Sequence, residues 1–265
     1  MRTTILLALL AIFTFACGGD KPASTDETTD TTETPQEEAP AIAISPMSAS
    51  PSFPGAAITS MNYTDGKFSF GIEPGENNYE LKAQTADAEQ KMCANSAKGQ
   101  HIHLIIDNEP YAAKYDAEFE YDVADGEHYM LAFISRSYHE SIKSEGAATV
   151  AKINVADKAI SSREAVEGPM LFYSRPKGTY TGKDAENIML DFYLHNVSLG
   201  DEYKVKVDAG GETFMVDSWQ PYILNGLPMG KNTVTLTLVD AAGNAVDAPL
   251  NPVSRTFTLA ADPTE

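Results

Sequence analysis

HIHLIID, residues 101–107, and EYKVKVD, residues 202–208, read as one strand written twice. Strand side chains alternate between two faces. One face carries Ile102, Leu104 and Ile106 in the first copy and Tyr203, Val205 and Val207 in the second. The other carries His101, His103 and Ile105 against Glu202, Lys204 and Lys206. Lysines do not enter a core unpaired. The first set therefore faces the core, and His101 and His103 face outward.

Two further pairs extend the match. VADGEHYMLAFIS (123–135) aligns with LPMGKNTVTLTLV (227–239) through Gly126 and Gly230, and FSFGIEPGENNYEL (68–81) aligns with LDFYLHNVSL (190–199). The chain thus holds two copies of one unit, 50–156 and 167–262. Short β-rich runs recur at intervals of about ten residues, separated by Gly, Pro, Asn and Asp. The pattern predicts an all-β fold of two tandem immunoglobulin-like β-sandwich domains, residues 46–160 and 161–265. The ending DAAGNAVDAPLNPVSRTFTL, a turn and a last strand, suits such modules, and the repeat is too long for a solenoid.

Ahead of the sandwiches, MRTTILLALLAIFTFACGGD carries one positive residue, an apolar stretch too short to span a bilayer, and a small residue before Cys17. This predicts a secretory signal over 1–16; Cys17 after a small residue resembles a bacterial lipoprotein signal, which implies a lipidated Cys17 as the new N-terminus, while a plain signal peptidase also accepts Thr14-Phe15-Ala16 and cuts at the same place. Residues 17–45 are rich in Thr, Glu, Asp and Pro, without an aromatic, which predicts a disordered acidic tether. Residues 1–45 hold seven acids against two bases, which leaves −14 of the chain's −19 on residues 46–265. That charge opposes nucleic acid and anionic lipid surfaces as partners. With Cys17 used by the signal, Cys93 has no intrachain disulfide partner.

Where the copies differ, the first has features the second lacks. An insertion, residues 82–100, separates Leu81 from His101; the second copy has two residues there. The outward positions Tyr129, Leu131 and Phe133 replace Thr233, Thr235 and Thr237. A soluble monomer does not leave such an apolar, aromatic face bare. The insertion, the second domain or a partner must cover it. SRSYHE (135–140) replaces the turn VDAAGN (239–244).

Two kinds of site follow. Arg136, Ser137, Tyr138, His139 and Glu140, with His101, His103 and Tyr129, make a candidate surface for a peptide, glycan or small anion, since an arginine beside hydroxyl and imidazole groups grips carboxylate or phosphate. Alternatively His101 and His103, two imidazoles on one strand face, bind copper or zinc with Cys93 or His139 as a third ligand. His128 falls on the inner face, matching Asn232. Tyr111, Tyr115, Trp219, Pro221 and Tyr222 are candidates for a sugar platform, with Trp219 expected to cap its sandwich or meet the first domain. No nucleophile elbow, zincin motif or phosphate loop is present, which points away from an enzyme. A structural spacer is the remaining reading.

NYELKAQTADA, KGQHIHLIIDNEPY and LAFISRSYHESIK resemble a group of envelope proteins of Bacteroidetes-type bacteria often labelled phosphopeptide-binding. The resemblance spans most of residues 50–260. It implies a periplasmic or outer-membrane lipoprotein of the cell envelope, with the outer membrane as the expected anchor, and carries over no functional residues.

Overall fold

The computed structural model describes residues 41–262; the expected signal peptide, Cys17 and most of the tether lie outside the described residues. In chain order the strands are β1 (Ala43–Pro46), β2 (Ala57–Thr64), β3 (Lys67–Glu73), β4 (His101–Ile106), β5 (Ala112–Lys114), β6 (Glu118–Glu120), β7 (Gly126–Ser135), β8 (Ala148–Ala156) and β9 (Ala159–Glu164). The second half continues with β10 (Met170–Arg175), β11 (Gly178–Thr181), β12 (Ile188–His195), β13 (Tyr203–Ala209), β14 (Glu212–Val216), β15 (Tyr222–Asn225), β16 (Gly230–Asp240) and β17 (Val253–Ala260).

The first sandwich packs sheet β2-β3-β6 against sheet β5-β4-β7-β8-β9. The second packs β1-β15-β12-β10 against β11-β17-β16-β13-β14. The matched pairs β4/β13, β7/β16 and β3/β12 hold corresponding places, so both halves are immunoglobulin-like sandwiches. Ile102, Leu104 and Ile106 enter the first core with Phe68 and Met130. Val205 and Val207 enter the second with Phe192 and Leu236. The ladders refine the alignment. His103 pairs with Phe133 and Lys206 with Thr237, so His101 and His103 stand where Lys204 and Lys206 stand, two residues from the sequence match. A shift of two preserves the face.

Two boundaries move. Residues 43–46, of which the sequence places 43–45 in the tether and 46 in the first sandwich, form β1 and pair antiparallel with β15 of the second sandwich, Ala43 opposite Asn225 and Pro46 opposite Tyr222. Short apolar residues 41–46 find a sheet edge there, and Ile44 packs on the second core. Gly226 (φ +79) permits the approach, since a Cβ on it would meet the Ala41 carbonyl oxygen at 2.4 Å. At the other end, β9 runs to Glu164, so the first sandwich extends past residue 160. The chain enters through the second sandwich, builds the first and returns. A chain beginning at Met47 is expected to lose about 1–3 kcal/mol of stability, the worth of one partly buried isoleucine and a short ladder. Urea unfolding of the two lengths measures this; equal midpoints would make β1 a passive edge.

A third core lies between the sandwiches. Ile105, Leu131 and Phe133, from the outer face of the first, pack against Val166, Met170, Phe172 and Tyr193. The Phe133 and Tyr193 rings stack at 5.7 Å. Trp219 touches both this core and the second sandwich, and its indole N–H donates to the Phe192 carbonyl. The aromatic face is thus covered chiefly by the second domain. Polar clamps fix the register: the Asn108 amide donates to the Leu171 carbonyl and accepts from the Tyr173 N–H, each at 2.8 Å.

Candidate metal centre

His101 and His103 reach this interface as neighbours on the outer face of β4, both fully buried. His139 arrives from the loop after β7, which a Ser135–Ser141 bridge closes. The His101 Nε2 lies 2.9 Å from His103 Nε2 and 2.9 Å from His139 Nδ1. The potential ligand atoms of the three residues all lie within 4.8 Å of one another.

Local structure dictates this convergence. Gly99 (φ +83) turns the chain out of the insertion, and a Cβ there would meet the Lys82 carbonyl oxygen at 2.2 Å. Its own carbonyl accepts from His101 Nδ1 at 2.8 Å, which puts the proton on Nδ1 and leaves Nε2 as a bare lone pair. His103 is clamped by the Tyr111 ring, stacked at 3.7 Å and 7°. Its Nδ1 lies 3.4 Å from Ser174 Oγ of the second sandwich. The Tyr111 hydroxyl lies 3.3 Å from His139 Nδ1, and the Tyr115 ring packs 4.8 Å from His101.

His139 carries a further mark. Its φ is +70, the left-handed region that costs a side-chain-bearing residue on the order of 1–3 kcal/mol. The second copy makes the same turn. Arg136 N–H to Glu140 O and His139 N–H to Arg136 O are matched by Asp240 N–H to Asn244 O and Gly243 N–H to Asp240 O. Gly243, φ +83, occupies the position of His139. A glycine suffices for the turn; the first copy carries an imidazole there at a conformational cost.

Burial, first of all, pushes His101 down to about 4, against the raising effect of the Gly99 carbonyl and with Arg175 and Lys177 adding to the depression. Burial likewise holds His103 and His139 well below the ordinary imidazole range; the other two rings act on His103, and Arg175 and Lys177 on both. All three rings are neutral at pH 7, the state in which imidazole ligates.

The other sequence candidates lie elsewhere. Cys93 sits among Met47, Ala88, Tyr138 and Met189, and burial pushes its thiol up to about 11. It does not belong to the histidine group. His128 bonds Asp107 at 2.6 Å and the Ala124 carbonyl, as Asn232 bonds Pro228 four residues back. The 136–140 loop is packed inward rather than presented to solvent. Arg136 pairs with Glu140 at 3.3 Å and donates to the Pro51 carbonyl; Glu140 also accepts from Ser50. Ser137 exchanges hydrogen bonds with Thr85 of the insertion, and Tyr138 is fully buried. Apart from the buried Arg136 Nε, those groups have internal partners, and the loop holds His139 in place. Tyr129 lies half-buried on the rim of the interdomain core. Tyr111 and Tyr222 are buried, which removes them as an exposed sugar platform.

No protein-family model and no curated protein matches the chain. Among solved structures, the fibronectin(III)-like modules of Clostridium thermocellum CbhA are similar at 11% identity and a TM-score of 0.29, over 85% of this chain and 97% of that one. A Ca2+-stabilized adhesin of an Antarctic bacterium matches at 13% identity and a TM-score of 0.24, over 84% of this chain and 49% of the adhesin. A Bacteroides ovatus SGBP-B in complex with a mixed-linkage heptasaccharide matches at 10% identity and a TM-score of 0.20, over 83% of this chain and 70% of that one.

Proposed function

We propose that this protein is a non-enzymatic metal-binding module of the bacterial cell envelope, held to the outer membrane by lipid on Cys17, with copper or zinc bound by His101, His103 and His139. The observation that carries this is the convergence of three neutral imidazole nitrogens, one from a residue that keeps a left-handed backbone where the sister domain uses glycine. Two nitrogens bound about 2.1 Å from one ion stand roughly 3.4 Å apart. The present 2.9 Å separations therefore need to open by about half an ångström. His103 has a route to the ligating tautomer, because Ser174 Oγ can accept the proton transferred to its Nδ1. Recognition of a peptide, glycan or small anion by the 136–140 loop is less favoured, because that loop is packed inward and, apart from the buried Arg136 Nε, its polar side chains are already paired.

The test is metal titration of the full chain beside His139→Gly and a His101→Ala/His103→Ala pair. The native chain is expected to take up one equivalent with a Kd below about 1 μM, and both variants to lose it by at least about 100-fold. His139→Gly also relieves the backbone, so its metal-free stability is expected to equal or exceed the native value by up to about 1 kcal/mol. Retained affinity in both variants sinks the assignment.

A further inference from the structure

The donor set is unusual in its charge. Three neutral imidazoles contribute none, and among the described residues no carboxylate or thiolate joins them. The carboxylates close by are committed. Asp191 is bound by Lys143 and the Ser141 N–H, and Glu140 by Arg136 and Ser50.

Among the described residues, the charges beside the triad that no carboxylate pairs are the cations Arg175 and Lys177. Arg175 is buried, and its Nη1 donates at 3.4 Å to the carbonyl of Tyr138, the residue before His139. Its neighbour Ser174 is the residue that meets His103. Its Nε donates to the Tyr180 hydroxyl, and among the described residues no carboxylate forms an ion pair with it; Asp191, opposite it on β12, is taken by Lys143. Lys177 places Nζ 4.0 Å over the face of the Tyr111 ring whose stacking clamps His103. A divalent ion here adds two charges to a buried site already facing one or two. In a medium of low effective dielectric each extra unit charge at such range is strongly unfavourable. A monovalent ion halves that repulsion. Cuprous copper, moreover, accepts three-coordinate trigonal geometry and needs no fourth ligand, whereas zinc and cupric ions complete their sphere with water, hydroxide or another anion.

Resting on the metal-binding reading above, we infer that the triad is selective for monovalent copper: Arg175 and Lys177 act as positioned charges that set the site against divalent ions and raise the Cu(II)/Cu(I) potential of bound copper. Neither residue is a ligand.

The experiment compares Cu(I), by anaerobic competition with a chromophoric chelator, with Zn(II), in low-chloride buffer, on the full chain and on Lys177→Gln, Arg175→Met and Arg175→Lys. The native chain is expected to bind Cu(I) tighter than Zn(II) by at least about 100-fold. The preference is expected to fall about tenfold in each charge-removing variant and to persist in Arg175→Lys, which keeps the charge but not the guanidinium fork. Lys177 is half-exposed, so its variant reports on charge even where Arg175→Met fails to fold. Zinc binding as tightly as Cu(I) in the native chain, or an unchanged preference in Lys177→Gln and any folded Arg175→Met, overturns the charge argument while leaving a metal site. Binding of neither ion overturns both that argument and the metal-binding reading.

Discussion

Acidifying the metal-free protein from pH 6.5 to 5 is expected to cost about 2 kcal/mol or more of folding stability, most of it traceable to the triad. His101 titrates at about 4 in the folded protein and near its ordinary 6.5 once unfolded. Between those values unfolding takes up a proton, so the contribution is fully present above pH 6.5 and drains away as the pH falls towards 4. Over pH 6.5 to 5 this amounts to roughly 2 kcal/mol for His101 alone. His103 and His139, depressed in the same direction, add to it. Two groups oppose the trend. Burial raises Glu140 above the ordinary carboxyl value, and His128 is raised by its Asp107 and Ala124 hydrogen bonds over the lowering effect of burial; both favour the folded state on acidification. His128 is the more exposed, and Glu140 is one carboxyl against three imidazoles, so the net slope stays positive with pH. Chemical denaturation at pH 6.5 and 5 measures it, with a His101→Asn/His103→Gln variant as reference. An equal slope in that variant would move the acid sensitivity elsewhere. Bound metal is expected to flatten the slope in the native chain, since ligation competes with protonation.

How much of this was legible in the residues depends on whether the signal was local. The period-two alternation of HIHLIID and YKVKVD, with lysines on one face, sufficed to place both copies in sandwiches and to set His101 and His103 on the outer face. Its two-residue register error was harmless because strand faces repeat every two residues. The alignment of SRSYHE with VDAAGN sets His139 against Gly243, a turn position with positive φ, so the pair carried a backbone signal for His139; the inward packing of its neighbours depends on long-range contacts to the insertion and to residues 50–51. The rest is long-range. Nothing in AISP (43–46) announces a partner at Asn225, because an edge strand is specified by the sheet it joins. Arg175 and Asp191 left a fainter trace: a cation ending the apolar run MLFYSR and a carboxylate inside IMLDFYL, each a charge where the pattern calls for burial and hence for a partner. Which partner depended on how one sandwich docks on the other.

Asp191→Ala is expected to be among the most damaging single substitutions in the chain, at about 3–5 kcal/mol. The carboxylate is fully buried on β12, yet it serves the first sandwich: Oδ2 accepts from the Ser141 N–H at 2.9 Å and Oδ1 from Lys143 Nζ at 2.6 Å. Removing it leaves an ammonium largely buried, 5.8 Å over the Trp219 ring, with the Ser141 hydroxyl as its remaining hydrogen-bond partner among the described residues. The cost is dominated by that orphaned charge, so adding Lys143→Met is expected to return much of the loss, and the double-mutant cycle measures the coupling. Asp191→Asn separates two effects. Its amide oxygen can still accept from Ser141, while the charge pair with Lys143 is gone. Ser141 closes the loop that carries His139 two residues earlier. Metal affinity is therefore expected to drop about tenfold or more in Asp191→Ala, where the loop loses its anchor, and to stay near native in Asp191→Asn, although both are less stable. Equal losses of affinity in the two would mean that the buried ion pair, through the docking of the sandwiches, positions the triad, and the anchoring role given to the Ser141 amide would be wrong.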